Sequence, residues 1–251
     1  MSPEISKRVV GLEDGKLVIR EDYLSQQPET TGTESVTDAS DPAINYDGTA
    51  LACLGDTGRS LYFFSGGKGQ YLVKNKKMTA PSFDSFGWLW VAESDGAVRA
   101  YNAASTNEKE RSKGIEIPVS WRSGMTFSSL RVSHDGARVV VVGTRDGTAA
   151  VVMSGVVRDS SGTPKGFTEP VRVTSSITPR TAVWAGEQNL VVVNDKTGES
   201  EVTTLSGEET KFDRLDGVKS VSAAGNTSNM LAHRSDGSCY VLEERGWTRL
   251  N

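Results

Sequence analysis

The stretch Leu130-Arg131-Val132-Ser133-His134-Asp135-Gly136-Ala137-Arg138-Val139-Val140-Val141-Val142 leads through Gly143-Thr144-Arg145 into Asp146-Gly147, and Thr148-Ala149-Ala150-Val151-Val152 follows. Asp and Gly tolerate the positive φ that tight hairpin turns demand, so Asp146-Gly147 between two apolar runs reads as a β-hairpin. Upstream, Ser133-His134-Asp135-Gly136 is a second polar turn, which brings a shorter strand into the hairpin. Val139 to Val142 and Ala149 to Met153 are continuous apolar runs, as expected of strands covered on both faces.

The same unit recurs outward from this point. Hairpin turns fall at Asp14-Gly15, Asp56-Thr57-Gly58, Asp95-Gly96, Asp146-Gly147, Asp195-Lys196-Thr197-Gly198 and Asp236-Gly237. From Asp to Asp the steps are 42, 39, 51, 49 and 41 residues, the period of β-propeller blades at roughly 40–50 residues. The upstream turn recurs as Asn45-Tyr46-Asp47-Gly48, and as Asp84-Ser85-Phe86-Gly87 with an altered gap. Each unit thus supplies an inner strand, two strands flanking the hairpin and a variable outer strand. The expected fold is all-β: a single β-propeller domain over residues 1–251 with six four-stranded blades, approximately 1–40, 41–77, 78–122, 123–174, 175–217 and 218–251. Little helix is expected. The first blade reads as incomplete, because Arg8-Val9-Val10-Gly11-Leu12 already enters a hairpin and almost nothing precedes it. The two longest steps carry insertions at Asn102 to Arg111 and at Arg158 to Gly166, and loops of this kind often hold specific contacts.

Composition narrows the functions. A net charge of −4 and a pI near 5.4, with basic residues scattered, argue against nucleic-acid and anionic-membrane binding. No segment is apolar for the length of a membrane span, and Met1 to Ser6 shows neither a signal-peptide core nor a lipid-attachment cysteine. Cys53 and Cys239 fall in the second and sixth units, too far apart in a ring to bridge, and are expected as buried free thiols. His134 and His233 are the only histidines, little material for a metal triad or a Ser-His-Asp arrangement. Phe64 to Gln70 lacks the frame of a phosphate loop and reads as a turn. Glu208-Glu209 and Glu243-Glu244 sit at turns or strand ends, and Asn226-Thr227-Ser228 matches the glycosylation pattern only by chance. No catalytic, cofactor-binding or metal-binding residue is assigned. Trp88, Trp90, Trp184 and Trp247 read as packing residues. Trp121 and Arg122 follow the charged insertion, Arg131 lies in an inner strand, and Arg158 opens the second insertion. Trp and Arg dominate interface hot spots, so these four are the candidate partner-binding residues.

Three segments carry a family resemblance: Pro81-Ser82-Phe83-Asp84 with Phe86-Gly87-Trp88-Leu89-Trp90-Val91, the Leu130 to Val139 run, and Ser154-Gly155-Val156-Val157-Arg158-Asp159. They resemble the propeller domain of the LpqB family of actinobacterial cell-envelope lipoproteins, and Val9 to Val18 is similar to that domain's start. The resemblance implies a non-enzymatic, extracytoplasmic role in a parent protein anchored by an amino-terminal lipid. The implied partner is the extracytoplasmic domain of the sensor kinase MtrB of the MtrA–MtrB two-component system, linked to envelope growth and division. Two alternatives stand beside it: a propeller hydrolase or small-molecule binder with its site in the central channel, and a TolB-like envelope scaffold.

Overall fold

The computed structural model describes residues 8–13, 16–21, 36, 38–173, 175–205, 214–223, 230–243 and 246–250. Two compact units divide the chain, Met1–Pro118 and Val119–Asn251. Each consists of successive antiparallel sheets.

In the first unit, β1 (Val9–Glu13) pairs with β2 (Lys16–Arg20). The second sheet runs in chain order through β3 (Ser40–Ile44), β4 (Ala50–Gly55), β5 (Ser60–Ser65) and β6 (Lys68–Val73). The third comprises β7 (Ser82–Phe83), β8 (Trp88–Ala92), β9 (Val98–Asn102) and, after helix α1 (Glu108–Lys113), β10 (Ile115–Ile117).

The second unit opens with β11 (Thr126–Val132), β12 (Arg138–Arg145) and the long β13 (Thr148–Arg158), whose outer edge is shared by β14 (Pro164–Phe167) and β15 (Val171–Val173). The fifth sheet is β16 (Pro179–Ala185), β17 (Asn189–Asn194) and β18 (Ser200–Thr204). The sixth is β19 (Val218–Ala223), β20 (Met230–Arg234), β21 (Cys239–Glu243) and β22 (Gly246–Arg249).

Strand periodicity explains why these sheets stack. Along β4, Leu51 and Cys53 join Leu17 and Ile19 of the first sheet in one core, while Ala50, Ala52 and Leu54 join Leu89 and Val91 of the third in another. The fifth sheet repeats this division. Ala182, Trp184, Leu190 and Val192 pack with Val140, Val142 and Val151 of the fourth sheet, whereas Val183, Ala185, Val191 and Val193 pack with Val221, Met230 and Ala232 of the sixth. Successive residues of a strand point to opposite faces, so a continuous apolar run requires a neighbour on each side. Burial of one such side chain contributes about 1.5–3 kcal/mol.

The turns obey a common grammar. Gly136 N–H donates to Ser133 O at 2.9 Å, Ser133 N–H donates to Arg138 O at 2.8 Å, and Ser133 Oγ accepts from Arg138 N–H at 2.9 Å. Asn45 takes the place of Ser133 in the second sheet, its Oδ1 accepting from Ala50 N–H at 2.8 Å. In the third sheet that place falls to Asp84, whose Oδ1 accepts from Trp88 N–H at 2.9 Å and whose Oδ2 accepts from buried Trp90 Nε1–H at 2.8 Å. The altered gap there has a simple cause: Asp84 is the first residue of its turn, not the third.

Among the described residues the sheets hold two, four, four, five, three and four strands, so the expectation of four per blade holds for the second, third and sixth. In the fourth, the Arg158 to Gly166 insertion divides the outer strand in two. The fifth has three described strands, and residues 206–213 after β18 lie outside the described residues. Also outside them are the Asp14-Gly15 turn, the segment before Arg8, Glu208-Glu209, Glu244 and Asn226-Thr227-Ser228. The only described helix, α1, lies in the first insertion.

Candidate interaction site

The second insertion projects from the fourth sheet as an extension of β13. Within it, Asp159 closes a tight turn by accepting from Ser161 N–H at 2.9 Å, Ser161 Oγ–H at 2.6 Å and Thr163 N–H at 3.1 Å. These bonds, with Lys165 Nζ at 3.1 Å, hold the exposed Asp159 carboxyl well below the usual carboxylate range. Arg158 binds the insertion to the sheet. Its Nε and Nη2 donate to Gly136 O at 3.2 and 3.1 Å, and its Nη1 donates to Gly162 O at 2.8 Å. One guanidinium thus ties the insertion to the turn between β11 and β12. The adjacent Val157 of β13 is 44% exposed and Val171 of β15 is 58% exposed.

Arg131 belongs to the same end of the sheet. It pairs with Val140, its Nη1 donates to Leu130 O at 3.2 Å, and its carbonyl accepts from Trp184 Nε1–H of the fifth sheet at 3.0 Å. Trp121 and Arg122 stand elsewhere, in the turn before β11. Arg145 Nη2, at the hairpin end of β12, donates to Trp121 O at 3.0 Å. The Trp121 ring lies 5.9 Å from that of Phe127 and 6.3 Å from that of Phe167, with its Nε1–H buried and unpartnered. Of the four sequence candidates, Arg131 and Arg158 flank the turn between β11 and β12, whereas Trp121 and Arg122 lie in the turn before β11, the Trp121 ring reaching Phe167 of β14.

Three features escaped the sequence reading. Arg138 Nη2 stands 3.6 Å from Asp135 Oδ2 and 3.4 Å from Glu187 Oε2, joining the inner turns of the fourth and fifth sheets. Buried Glu93 is held by Lys76 Nζ at 2.7 Å and Arg99 Nε at 2.8 Å. The first insertion is pinned by Arg111, whose Nε and Nη2 reach Gln70 Oε1 at 3.0 and 2.6 Å and whose guanidinium stacks 4.8 Å over Phe63. Gln70 lies 41 residues from Arg111 and Glu187 49 from Arg138, where spacing along a single strand carries no signal.

A cavity of about 250 Å³ opens between β13, β15 and the start of β16, lined by Ala150, Val151, Val173, Ile177 and Pro179 with Arg172 and Ser175. Its one charged side chain is a cation, so it offers no pair of carboxyl groups. Among the described residues no group of three or more His, Cys, Asp or Glu is placed to hold a metal ion, and no helix is long and apolar enough to cross a membrane. Cys53 is a buried free thiol, whereas Cys239 is half-buried rather than enclosed as expected.

Residues 15–251 match the family model described as the lipoprotein LpqB β-propeller domain. Two curated relatives are similar. Lipoprotein LpqB of Streptomyces avermitilis is 25% identical over 83% of this chain, and lipoprotein LpqB of Streptomyces coelicolor is 28% identical over 62%. The matched region is 37% and 27% of those proteins, so the chain spans about a third of their length. In three dimensions the chain resembles a component of a nidogen/laminin complex, with a TM-score of 0.64 and 11% identity over 94% of this chain and 89% of that one. It also resembles one of two prolyl endopeptidases studied for inter-domain dynamics, with a TM-score of 0.62 and 13% identity over 98% of this chain and 47% of that one. At these identities the likeness is one of fold alone.

Proposed function

This chain belongs to the lipoprotein LpqB β-propeller family, and from that membership we propose that it is the non-enzymatic interaction module of an LpqB-like lipoprotein. In this reading the parent protein is held by a lipid at the outer face of the cell membrane. The propeller engages the extracytoplasmic domain of an MtrB-like sensor kinase and modulates signalling tied to envelope growth and division. The family match across nearly the whole chain carries the proposal. The second insertion adds to it, because a turn braced by Asp159 and clamped by Arg158 is presented without the entropy cost of ordering a loose loop on binding. Trp121, Arg122 and Arg131 are the proposed contact residues, and Arg158 is the residue that positions the insertion.

Calorimetric titration of the purified kinase domain into this chain tests the proposal. Saturable one-to-one binding is expected, weakened about tenfold or more by Trp121→Ala, Arg122→Ala or Arg131→Ala where these are hot spots. Unchanged affinity in all three variants would remove the contact assignment. Absence of binding by both this chain and its full-length parent would remove the partner.

A further inference from the structure

The outer edge of β13 is left bare at its hairpin end. β15 pairs with Val151, Val152 and Met153 and stops at Val173, whereas β12 accompanies β13 back to Thr148. Thr148, Ala149 and Ala150 therefore have a strand on one side and, among the described residues, none on the other. The cavity of about 250 Å³ lies here. Ala149, Ala150 and Val151 all line it although successive residues of a strand point to opposite faces, so it opens on the strand's edge rather than on one face of the sheet. Its far wall, the connection from β15 to β16, is fastened from behind. Ser175 Oγ accepts from Ile177 N–H at 3.3 Å, and Thr178 O accepts from Asp195 N–H at 3.0 Å. Between them Ser176 N–H donates to the two carboxylate oxygens of buried Glu201 at 3.3 and 3.1 Å, and the Ser176 hydroxyl donates to the same group. Arg172 is the one charged residue of the lining, is exposed, and forms no side-chain ion pair or hydrogen bond among the described residues.

We propose that this bare edge is a docking groove for the carboxylate end of an extended peptide, which adds to β13 in line with β15. The main chain supplies the first part of the recognition: an edge strand presents N–H and C=O groups that an extended segment can pair. Geometry sets the length, since about three residues at about 3.3 Å each span Thr148 to Ala150. It also sets the end. β15 already occupies the line beyond Ala150, so a strand laid on the edge must terminate there. Charge decides which terminus that is: Arg172 attracts a carboxylate and repels an amine, and Asp146 stands in the turn at the opposite end of the edge. The peptide consequently runs parallel to β13. Val151, Val173, Ile177 and Pro179 offer its last side chain an apolar wall. The cavity falls below the range of about 300–1,000 Å³ that holds whole drug-sized ligands, which suits a chain end. Because the far wall is already fastened, docking has little of the groove to order.

The groove does not depend on the kinase proposal, and its test needs only this chain and synthetic probes. Backbone amide NMR signals are followed as acetyl-trialanine with a free carboxylate is titrated in, and separately its carboxamide, its fully N-methylated form and acetate. Saturable shifts centred on Ala149, Ala150, Val173 and Ser175 are expected. The free acid should bind about twofold to fivefold more tightly than the carboxamide, the range of an exposed ion pair. Arg172→Gln, a change at an exposed side chain, should erase that preference while the shifts at Ala149 and Ala150 persist. N-methylation removes the peptide donors without touching the protein, and should abolish binding at the edge. The inference would be overturned by the lack of a saturable shift at Ala149 and Ala150, or by equal affinity of wild type for acid and carboxamide. It would equally be overturned by the same shifts with acetate alone, or by undiminished binding of the N-methylated probe.

Discussion

Cys53 lies wholly buried in β4, and burial pushes its thiol up to about 12; Tyr101 is raised by the same cause to about 12. Both groups lose protons more readily when unfolded, so their contribution to stability is complete below the ordinary values of 9.0 and 10.0 and is lost as pH rises toward 12. The unfolding free energy from urea titration should accordingly fall above about pH 9 for Cys53 and about pH 10 for Tyr101, by at most about 1.4 kcal/mol per pH unit for each group. A thiol reagent at pH 8 should modify Cys239 before Cys53, and equal rates would show that β4 opens as readily as β21. At Trp121 the buried indole N–H lacks an acceptor, which costs about 1–3 kcal/mol. Trp121→Phe keeps an aromatic ring beside Phe127 and removes that donor, so thermal unfolding should reveal a neutral or stabilising change, in contrast to the loss expected for Trp121→Ala. Burial of Cys53 was expected from the sequence, whereas the unpartnered Trp121 donor was not. An absent acceptor is set by neighbouring sheets, and a string of residues names Trp121 without its surroundings.

The element most fully legible was the hairpin. Asp146 and Gly147 both take positive φ, 51° and 76°, the backbone of a type I′ turn, and Thr148 pairs with Arg145. No atom outside its chain neighbours lies within 4 Å of a methyl placed on Gly147, so Gly147→Ala probes backbone strain alone. It should cost about 1–2 kcal/mol in chemical denaturation. Leu190→Ala tests the stacking of sheets instead: its side chain is fully buried against the fourth sheet, and about 2–5 kcal/mol should be lost. The same Gly and Asp cues misplaced Asp84, since Asp serves equally as the first residue of a turn and as the third. They were silent on the divided outer strand of the fourth sheet. That division follows from β14 pairing with Val156 to Arg158 and β15 with Val151 to Met153 of the same long strand, and Gly166 and Thr168 carry no cue distinguishing one outer strand from two.

At the scale of the molecule, a repeat of about 40–50 residues with continuous apolar strands already implied a propeller. The cores between consecutive sheets give that inference its physical basis. The candidate site was less legible. Trp121, Arg122, Arg131 and Arg158 were chosen by residue type and position near insertions, and those signals do not reveal that Arg158 spends its donors on Gly136 and Gly162. Segments similar to LpqB carried the functional reading further than any side-chain constellation could. The most direct measurement of the central claim is the autophosphorylation rate of the full-length MtrB-like kinase in lipid vesicles, with this chain added on the sensor side. The account predicts a severalfold change in rate that saturates with the chain and is lost with a Trp121→Ala, Arg122→Ala double variant. A rate unaffected by the wild-type chain, at concentrations that saturate the isolated sensor domain, would contradict it.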